Sequence, residues 1–334
     1  MCRGEYFESD SAKVKTYNVL VTAVGAIIGY GIVRALKAGR YSVRVVGMDV
    51  FADAVGRQWC DDFIESVPAV DPDYPGFLLE VMRRFDIDLV CFGVEQEVLR
   101  VMFERQVFGD KFAKMVMNAE QLVTLSQDKW RMHEYLQTQG FPVIPSRISG
   151  SYNDAVAELG SPFLLKPRCS TASKGICEIQ SSEDYEYWRR KTAEDFMVQR
   201  IVGSIESEYT VGAFGLGDGS ISQSVTFVRK LGRDGSTVKA ATIENENIDQ
   251  CVMELCHLFK PVGPTNFQFR EHEGEFLLLE INPRFSSSLS LRAAFGFNEP
   301  EMCIEYFIEG KKPEVARLSK GKAARYIEDV VEFS

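Results

Sequence analysis

The stretch from Asn266 to Arg284, NFQFREHEGEFLLLEINPR, restricts this chain more than any other. Phe267 and Phe269 alternate with Gln268 and Arg270, a polar link follows at His272-Glu273-Gly274, and an apolar run occupies Phe276 to Leu279. The spacing predicts two antiparallel strands joined by a tight turn. Gln268 and Glu280 are equidistant from Gly274, so they sit opposite each other if the turn is centred there. The two-residue side-chain period then puts Asn282 on the same face as Glu280. Two amide oxygens and one carboxylate on one sheet face, with Arg284 just beyond, form a hard-oxygen set of the kind that suits magnesium. An ordinary hairpin with a solvated polar face is the plainer alternative. The run LLLEINPR weighs against it, because a carboxylate ending a strongly apolar strand is either desolvated without compensation or paired with a cation.

Phe-Gln-Phe, followed after a short turn by Glu-Ile-Asn-Pro-Arg, resembles the magnesium site of the ATP-grasp superfamily, in particular the large chain of carbamoyl phosphate synthetase. Most relatives carry glutamate where this chain has Gln268, and glutamine is similar to the carbamoyl phosphate synthetase branch. The resemblance implies metal ligation by Gln268, Glu280 and Asn282, with magnesium or manganese as the ion. It also implies phosphate or acyl-phosphate contact by Arg284.

At 334 residues, 45% hydrophobic and 26% charged, the chain is long enough for two or three domains with a substantial core. A formal net charge of -10 argues against nucleic-acid binding, since phosphate backbones require a basic face. Eight cysteines without a C-x-x-C pair read as reduced thiols, not as a zinc site or a disulfide frame. No signal peptide and no apolar run near eighteen residues is present, so the expectation is a cytoplasmic protein without a membrane anchor.

In chain order, residues 1–15 read as a frayed, disordered tail. Asn18 to Val24 reads as a buried parallel strand, Gly25, Gly29 and Gly31 lead into a helix, and Tyr41 to Met48 is a second strand ending at Asp49. This resembles a dinucleotide-binding unit, with Asp49 on a ribose hydroxyl. The spacing is G-x-x-x-G-x-G, however, not G-x-G-x-x-G, and glycines are also needed simply to pack a helix on a strand. An NAD-binding oxidoreductase is therefore the disfavoured alternative. Phe77 to Phe85 reads as helix, Ile87 to Phe92 as a third strand and Glu95 to Phe103 as an amphipathic helix. This places Glu95 and Glu97 at a strand's carboxyl edge, where they suit either a ligand or a helix N-terminus.

Ser126 is an N-cap candidate for a helix with Lys129 in its first turn, where a lysine is unfavourable to the helix dipole and wants a separate reason. Phe163 to Leu165 form a strand, and Lys166 precedes a loop of small residues suited to wrapping a polyphosphate; a flexible surface hairpin is the alternative. The resemblance assigns nucleotide contact to Lys129, Lys166, Ser170, Ser173 and Gly175. Thr171 and Ala172 depart from the glycine-rich family pattern. By the same resemblance Gln199, Ile201 and Val202 line adenine, and Glu208 holds the ribose hydroxyls; a solvated loop acid is the alternative for Glu208. Arg229, Lys230, Arg233 and Lys239 form a basic hairpin that faces an anion or protects a sheet edge. Ile248 to Phe259 reads as an amphipathic helix, the run Phe285 to Arg292 resembles an acceptor loop in which Arg292 suits a carboxylate or phosphate, and Ala324 to Val331 reads as an edge strand.

The fold expected is α/β: an N-terminal Rossmann-like parallel-sheet domain (16–124) followed by a two-subdomain α+β ATP-grasp unit, with its lid at 125–196 and its C-terminal subdomain, carrying the metal hairpin, at 197–334. The activity implied is that of a stand-alone, ADP-forming carboxylate-amine ligase. ATP and Mg2+ are its cofactors, a small carboxylate and an amine its substrates, and Lys166, Arg284 and Arg292 its catalytic cations. A homodimer stays open. A non-catalytic ATP-binding module is the other reading.

Overall fold

The computed structural model describes residues 15–170, 175–192, 195–204, 206, 208–232 and 235–331. Ser173, the substituted loop positions Thr171 and Ala172, Arg233 and almost all of the expected tail lie outside the described residues.

Three sheets organise the chain. The first is parallel, in the order β3-β2-β1-β4, built from β1 (Thr16–Thr22), β2 (Ser42–Asp49), β3 (Asp62–Glu65) and β4 (Leu89–Cys91). Its central strands β1 and β4 are buried on both faces, and two hydrophobic clusters flank the sheet. The helix Ile27–Lys37 follows β1 so closely that a side chain at Gly29 would run into the Ala23 carbonyl, which accounts for that glycine by packing alone. Asp49 ends β2 and accepts from the backbone N–H groups of Gly25, at 2.7 Å, and Phe51, at 3.0 Å. The protein's own carboxylate thus fills the turn that the dinucleotide reading would give to a cofactor.

The second sheet is antiparallel, in the order β5-β8-β6-β7: β5 (Ser146–Arg147), β6 (Phe163–Pro167), β7 (Cys177–Ile179) and β8 (Phe196–Arg200). With the helices Tyr152–Leu159 and Ser182–Lys191 it encloses its own small core around Phe163, Tyr185 and Phe196. The expected boundary at 196/197 cuts through β8, whose pairing with β6 keeps it in this lid. The helix Lys129–Thr138, expected within the lid, packs through Met132 and Leu136 against the large sheet instead.

That third sheet runs β13-β12-β9-β10-β11-β14 and is antiparallel: β9 (Glu208–Leu216), β10 (Ile221–Leu231), β11 (Thr237–Ile243), β12 (Val262–His272), β13 (Glu275–Asn282) and β14 (Lys322–Ala324). The helix Glu246–Phe259 packs on the β12 and β13 end of one face. The other face meets the N-terminal domain in a shared core that includes Phe214, Phe227, Leu289, Ile28 and Ile32. Strand pairing at the C-terminal edge stops at Ala324, short of the expected Val331, and Tyr326 and Ile327 are exposed beyond it.

Candidate active site

The hairpin forms in the register its sequence dictates. Glu273 and Gly274 have φ of 52° and 85°, the left-handed pair that a two-residue turn needs to match strand twist. Gln268 pairs with Glu280 and Asn266 with Asn282, and a bulge then moves Phe269 opposite Leu278. Glu280 Oε1 accepts from Gln268 Nε2 at 2.6 Å and from Asn282 Nδ2 at 2.9 Å, so the three side chains do converge on one point.

The orientation of both amides follows from their partners. Arginine only donates and a carboxylate only accepts. Arg229 Nη2 lies 2.6 Å from Gln268 Oε1, and Arg284 Nη2 lies 3.1 Å from Asn282 Oδ1, so both amide oxygens turn away from Glu280. The donor set fits a hard divalent cation, with one carboxylate and two amide oxygens on a single face, once the amides present oxygen instead of nitrogen. Among the described residues no group of three or more His, Cys, Asp or Glu side chains offers an alternative metal site.

Two lysines face this cluster. Lys166 ends β6 and donates to Gln199 Oε1 at 2.5 Å, and Gln199 in turn donates to Ser146 Oγ at 3.0 Å. Burial pushes the Lys166 ammonium down to about 8, against the pull of Glu280 in the other direction. Lys129 opens its helix, but the N-cap is Asp128, which accepts from Trp130 and Arg131 N–H. Ser126, the residue expected to cap, ends the preceding helix at Glu120–Ser126. The unfavourable dipole position of Lys129 is offset by three carbonyl and hydroxyl oxygens: its Nζ donates to Ser170 O at 2.6 Å, Ser170 Oγ at 3.1 Å and Arg168 O at 3.5 Å. Arg168 also clamps Asp128, tying the helix start to the end of β6. Burial lowers the Lys129 pKa, and Glu280 is the largest influence opposing it. Lys129, bonded to Ser170, and Lys166, bonded to Gln199, thus both feel the charge of Glu280. Gly175, with φ of 77°, closes the described part of the loop against the Pro167 ring. Ile201 and the buried Val202 carry the chain from β8 toward β9.

Two residues expected at the ligands have protein partners in this conformation. Glu208 is 2% exposed, and each of its oxygens already takes a guanidinium, Arg229 Nη2 and Arg270 Nη2, both at 2.7 Å. In this conformation it balances one buried and one part-buried cation, with both of its oxygens engaged. Arg292 is fully buried: its guanidinium covers Gly212, where a Cβ would fall 2.5 Å from Nη1, and donates to Thr210 Oγ1 at 3.0 Å and to Asn266. Its counter-ion is Glu299 at 3.5 Å, also fully buried. Desolvation lowers the pKa of Arg292 and raises that of Glu299. In this conformation Arg292 is a core cation that ties Thr210 and Asn266 to Glu299. The buried Ser288, hydrogen-bonded to Thr237 at 2.9 Å, is closed off with it.

Sequence reasoning leaves Arg270 without a role and Arg229 and Glu95 without a partner. Arg270 shares the Gln268 face by strand period, a signal that was present. Arg229 stood out only as one of four basic residues in its hairpin. Glu95 was one of two acids at a strand edge; it is the partner of Arg284, whose Nη2 and Nε lie 2.9 and 3.1 Å from Glu95 Oε2.

Comparison with known proteins agrees with this architecture. A family profile described as "ATP-grasp in the biosynthetic pathway with Ter operon" matches residues 192–330. The formate-dependent phosphoribosylglycinamide formyltransferase of Marinobacter nauticus is 26% identical over 186 residues, which cover 52% of this chain and only 43% of that protein. Among solved structures, N5-carboxyaminoimidazole synthetase from Staphylococcus aureus complexed with ADP superimposes with a TM-score of 0.68 at 16% identity, covering 91% of this chain and 79% of that one. The biotin carboxylase domain of Hydrogenobacter thermophilus 2-oxoglutarate carboxylase, in complex with MgADP, ADP and bicarbonate, gives a TM-score of 0.71 at 16% identity, covering 91% and 73%. With the N-terminal parallel sheet, the small antiparallel lid and the large sheet ending in the Gln268–Glu280 hairpin, the chain has the fold of these solved structures, and the ATP-grasp family match lies in its C-terminal part, residues 192–330.

Proposed function

We propose that this protein is an ATP-dependent, ADP-forming ligase that activates a carboxylate as an acyl phosphate and couples it to an amine. The observation that carries the reading is the convergence of Lys129 and Lys166, both with depressed pKa values, on the Glu280 cluster, with Arg284 at its edge. Two lysines desolvated beside a single carboxylate are poised for polyanion binding, since each gains a partner when phosphate arrives. Gln268, Glu280 and Asn282 would hold Mg2+, which would supply neutralisation of phosphate charge.

The chain's own part is alignment and electrostatics, with no side-chain nucleophile. Lys166 and Lys129 neutralise phosphate oxygens from the lid side. Gln199 holds the Lys166 ammonium at the lid face, and Ile201 and Val202 border the space for the base. Arg284 faces the acid. An oxygen of the substrate carboxylate attacks the γ-phosphorus as the bond to ADP breaks; the amine nitrogen then attacks the acyl carbon, phosphate leaves, and the amine gives up a proton. The formyltransferase relative, by its name, acts on formate, and one of the two neighbours was solved with bicarbonate, so small carboxyl-type acids fit the same reading.

The test is ADP release from Mg-ATP with pooled small carboxylates, with and without added amines. Stimulated release supports the ligase. Thermal stabilisation by ATP without ADP release from any pool would favour a non-catalytic nucleotide module.

A further inference from the structure

Arg284 touches the hairpin through Asn282, and a carboxylate from another domain already holds it. Glu95 is the first residue of the helix Glu95–Phe103 and sits at the carboxyl edge of the parallel sheet, just beyond β4. Arg284 lies two residues beyond Asn282. The ion pair between them, at 2.9 Å, closes the seam between the N-terminal domain and the hairpin, and each side chain is 18% exposed. Glu95 Oε1 receives only a long contact, from Gln127 Nε2 at 3.3 Å. Arg284 Nη1 is held by the Phe285 carbonyl at 3.0 Å, so its fork is fixed in place. The neighbouring cations answer to other groups: Arg229 and Arg270 to Glu208, Arg168 to Asp128, Lys166 to Gln199. The charge of Glu95 also acts on Lys129.

We propose that the Glu95–Arg284 pair is the subsite for a zwitterionic acid substrate of the α-amino acid type, which opens the pair by placing its carboxylate on Arg284 and its ammonium on Glu95. The inference rests on the ligase reading for what happens to that carboxylate next, but not for binding. A zwitterion replaces one charge-assisted contact with two and leaves neither protein charge alone. An acid without an ammonium takes Arg284 and strands Glu95, part-buried, without its cation; an amine without a carboxylate strands Arg284. Stranding a part-buried charge is heavily penalised, so the pair discriminates by repelling both singly charged classes. The bound carboxylate lies on the side of Lys129, where the γ-phosphate would be.

The experiment compares the free amino acids, in pools, with their N-acetyl and amide derivatives on the full chain, by ADP release and by calorimetric binding, in the wild type and in Glu95→Gln. We expect one or more amino acids to stimulate release while the corresponding N-acetyl and amide forms do not. In Glu95→Gln, the KM for the responding amino acid should rise about tenfold or more with kcat little changed, as expected for loss of a charged hydrogen-bond partner. Equal use of the N-acetyl form by the wild type overturns the proposal without relying on any variant. So does a Glu95→Gln enzyme that loses kcat equally for every acid at unchanged KM, because Glu95 would then only position Arg284. If no acid releases ADP, the ligase reading fails, and binding decides the subsite: calorimetric binding of an amino acid that weakens in Glu95→Gln keeps it, and no amino-acid binding removes it.

Discussion

Arg229 Nη2 lies 2.6 Å from Gln268 Oε1, and the same nitrogen lies 2.7 Å from Glu208 Oε1. One buried guanidinium therefore sets the orientation of a metal-site amide and neutralises the carboxylate next to it. Arg229 and Glu208 side chains are each 3% exposed. Removing Arg229 leaves Glu208 Oε1 and Gln268 Oε1 without their donor while Arg270 still holds Glu208 Oε2, so Arg229→Met should destabilise the fold by about 1–3 kcal/mol. Arg229→Lys should recover only part of this, because a single ammonium cannot span Gln268, Glu208 and Thr237 as the fork does. Chemical denaturation measures both; an unchanged midpoint for Arg229→Met would refute the structural role.

Glu280 is the only carboxylate among the three hairpin side chains, and both amides already turn toward it. Glu280→Ala should abolish ADP formation while the protein remains folded, since Gln268 and Asn282 alone offer no charge to a divalent ion. Retained turnover in a folded Glu280→Ala enzyme would sink the metal assignment. Glu280→Gln should behave alike, with a circular dichroism spectrum and unfolding temperature near those of the wild type.

What was legible in the sequence and what was not divides along a physical line. The hairpin register was readable because strand period, turn residues and a carboxylate in an apolar strand all pointed one way. The helix Glu95–Phe103 and the strand carrying Lys166 were readable for the same reason. The burial of Arg292 is not legible, because a guanidinium following a serine run carries no local mark of it; that burial depends on Glu299 and on Gly212 of a strand eighty residues earlier in the chain. The lid boundary was misplaced because β8 belongs to the lid only by pairing with β6, a contact across more than thirty residues. The Glu95–Arg284 pair joins two domains 189 residues apart, beyond the reach of any spacing rule.

Lys166 gives a pH signature for nucleotide binding. Its folded-state pKa is lowered from 10.5 to about 8, so above pH 8 the free protein increasingly holds a neutral amine where a phosphate needs an ammonium. Bound polyphosphate favours the charged form, and binding should therefore take up a proton when measured above pH 8. ATP affinity should fall as pH rises through 8 to 9, and Lys166→Met should bind weakly with that dependence gone. Calorimetry in two buffers of different ionisation enthalpy at pH 8.5 reads the proton directly. Zero uptake there would mean that Lys166 does not meet the phosphates. The folding balance has its own sign: between pH 8 and 10.5 the unfolded chain binds more protons at this residue, so its contribution favours the folded state more as pH rises.

The N-terminal domain contains a second titration, with the opposite consequence for stability. Glu97 is 7% exposed behind β1, where it takes the Thr22 hydroxyl while Thr22 accepts from Gly93 N–H at 3.1 Å. Burial raises its pKa from 4.5 to about 7, and the Thr22 hydrogen bond offsets only part of that shift. Between pH 4.5 and 7 the folded chain holds this proton and the unfolded chain does not, so the Glu97 contribution is fully present below pH 4.5 and is lost as pH rises through 7. Glu97→Gln keeps the shape and removes the charge. It should be more stable than the wild type at pH 8 and no more stable at pH 4, and it should flatten the fall in denaturation midpoint between those values. The comparison is a pair of denaturant titrations at each pH. A wild type and variant that lose stability in parallel from pH 4.5 to 8 would show that Glu97 is ionised in the fold throughout, with its charge balanced by groups other than Thr22.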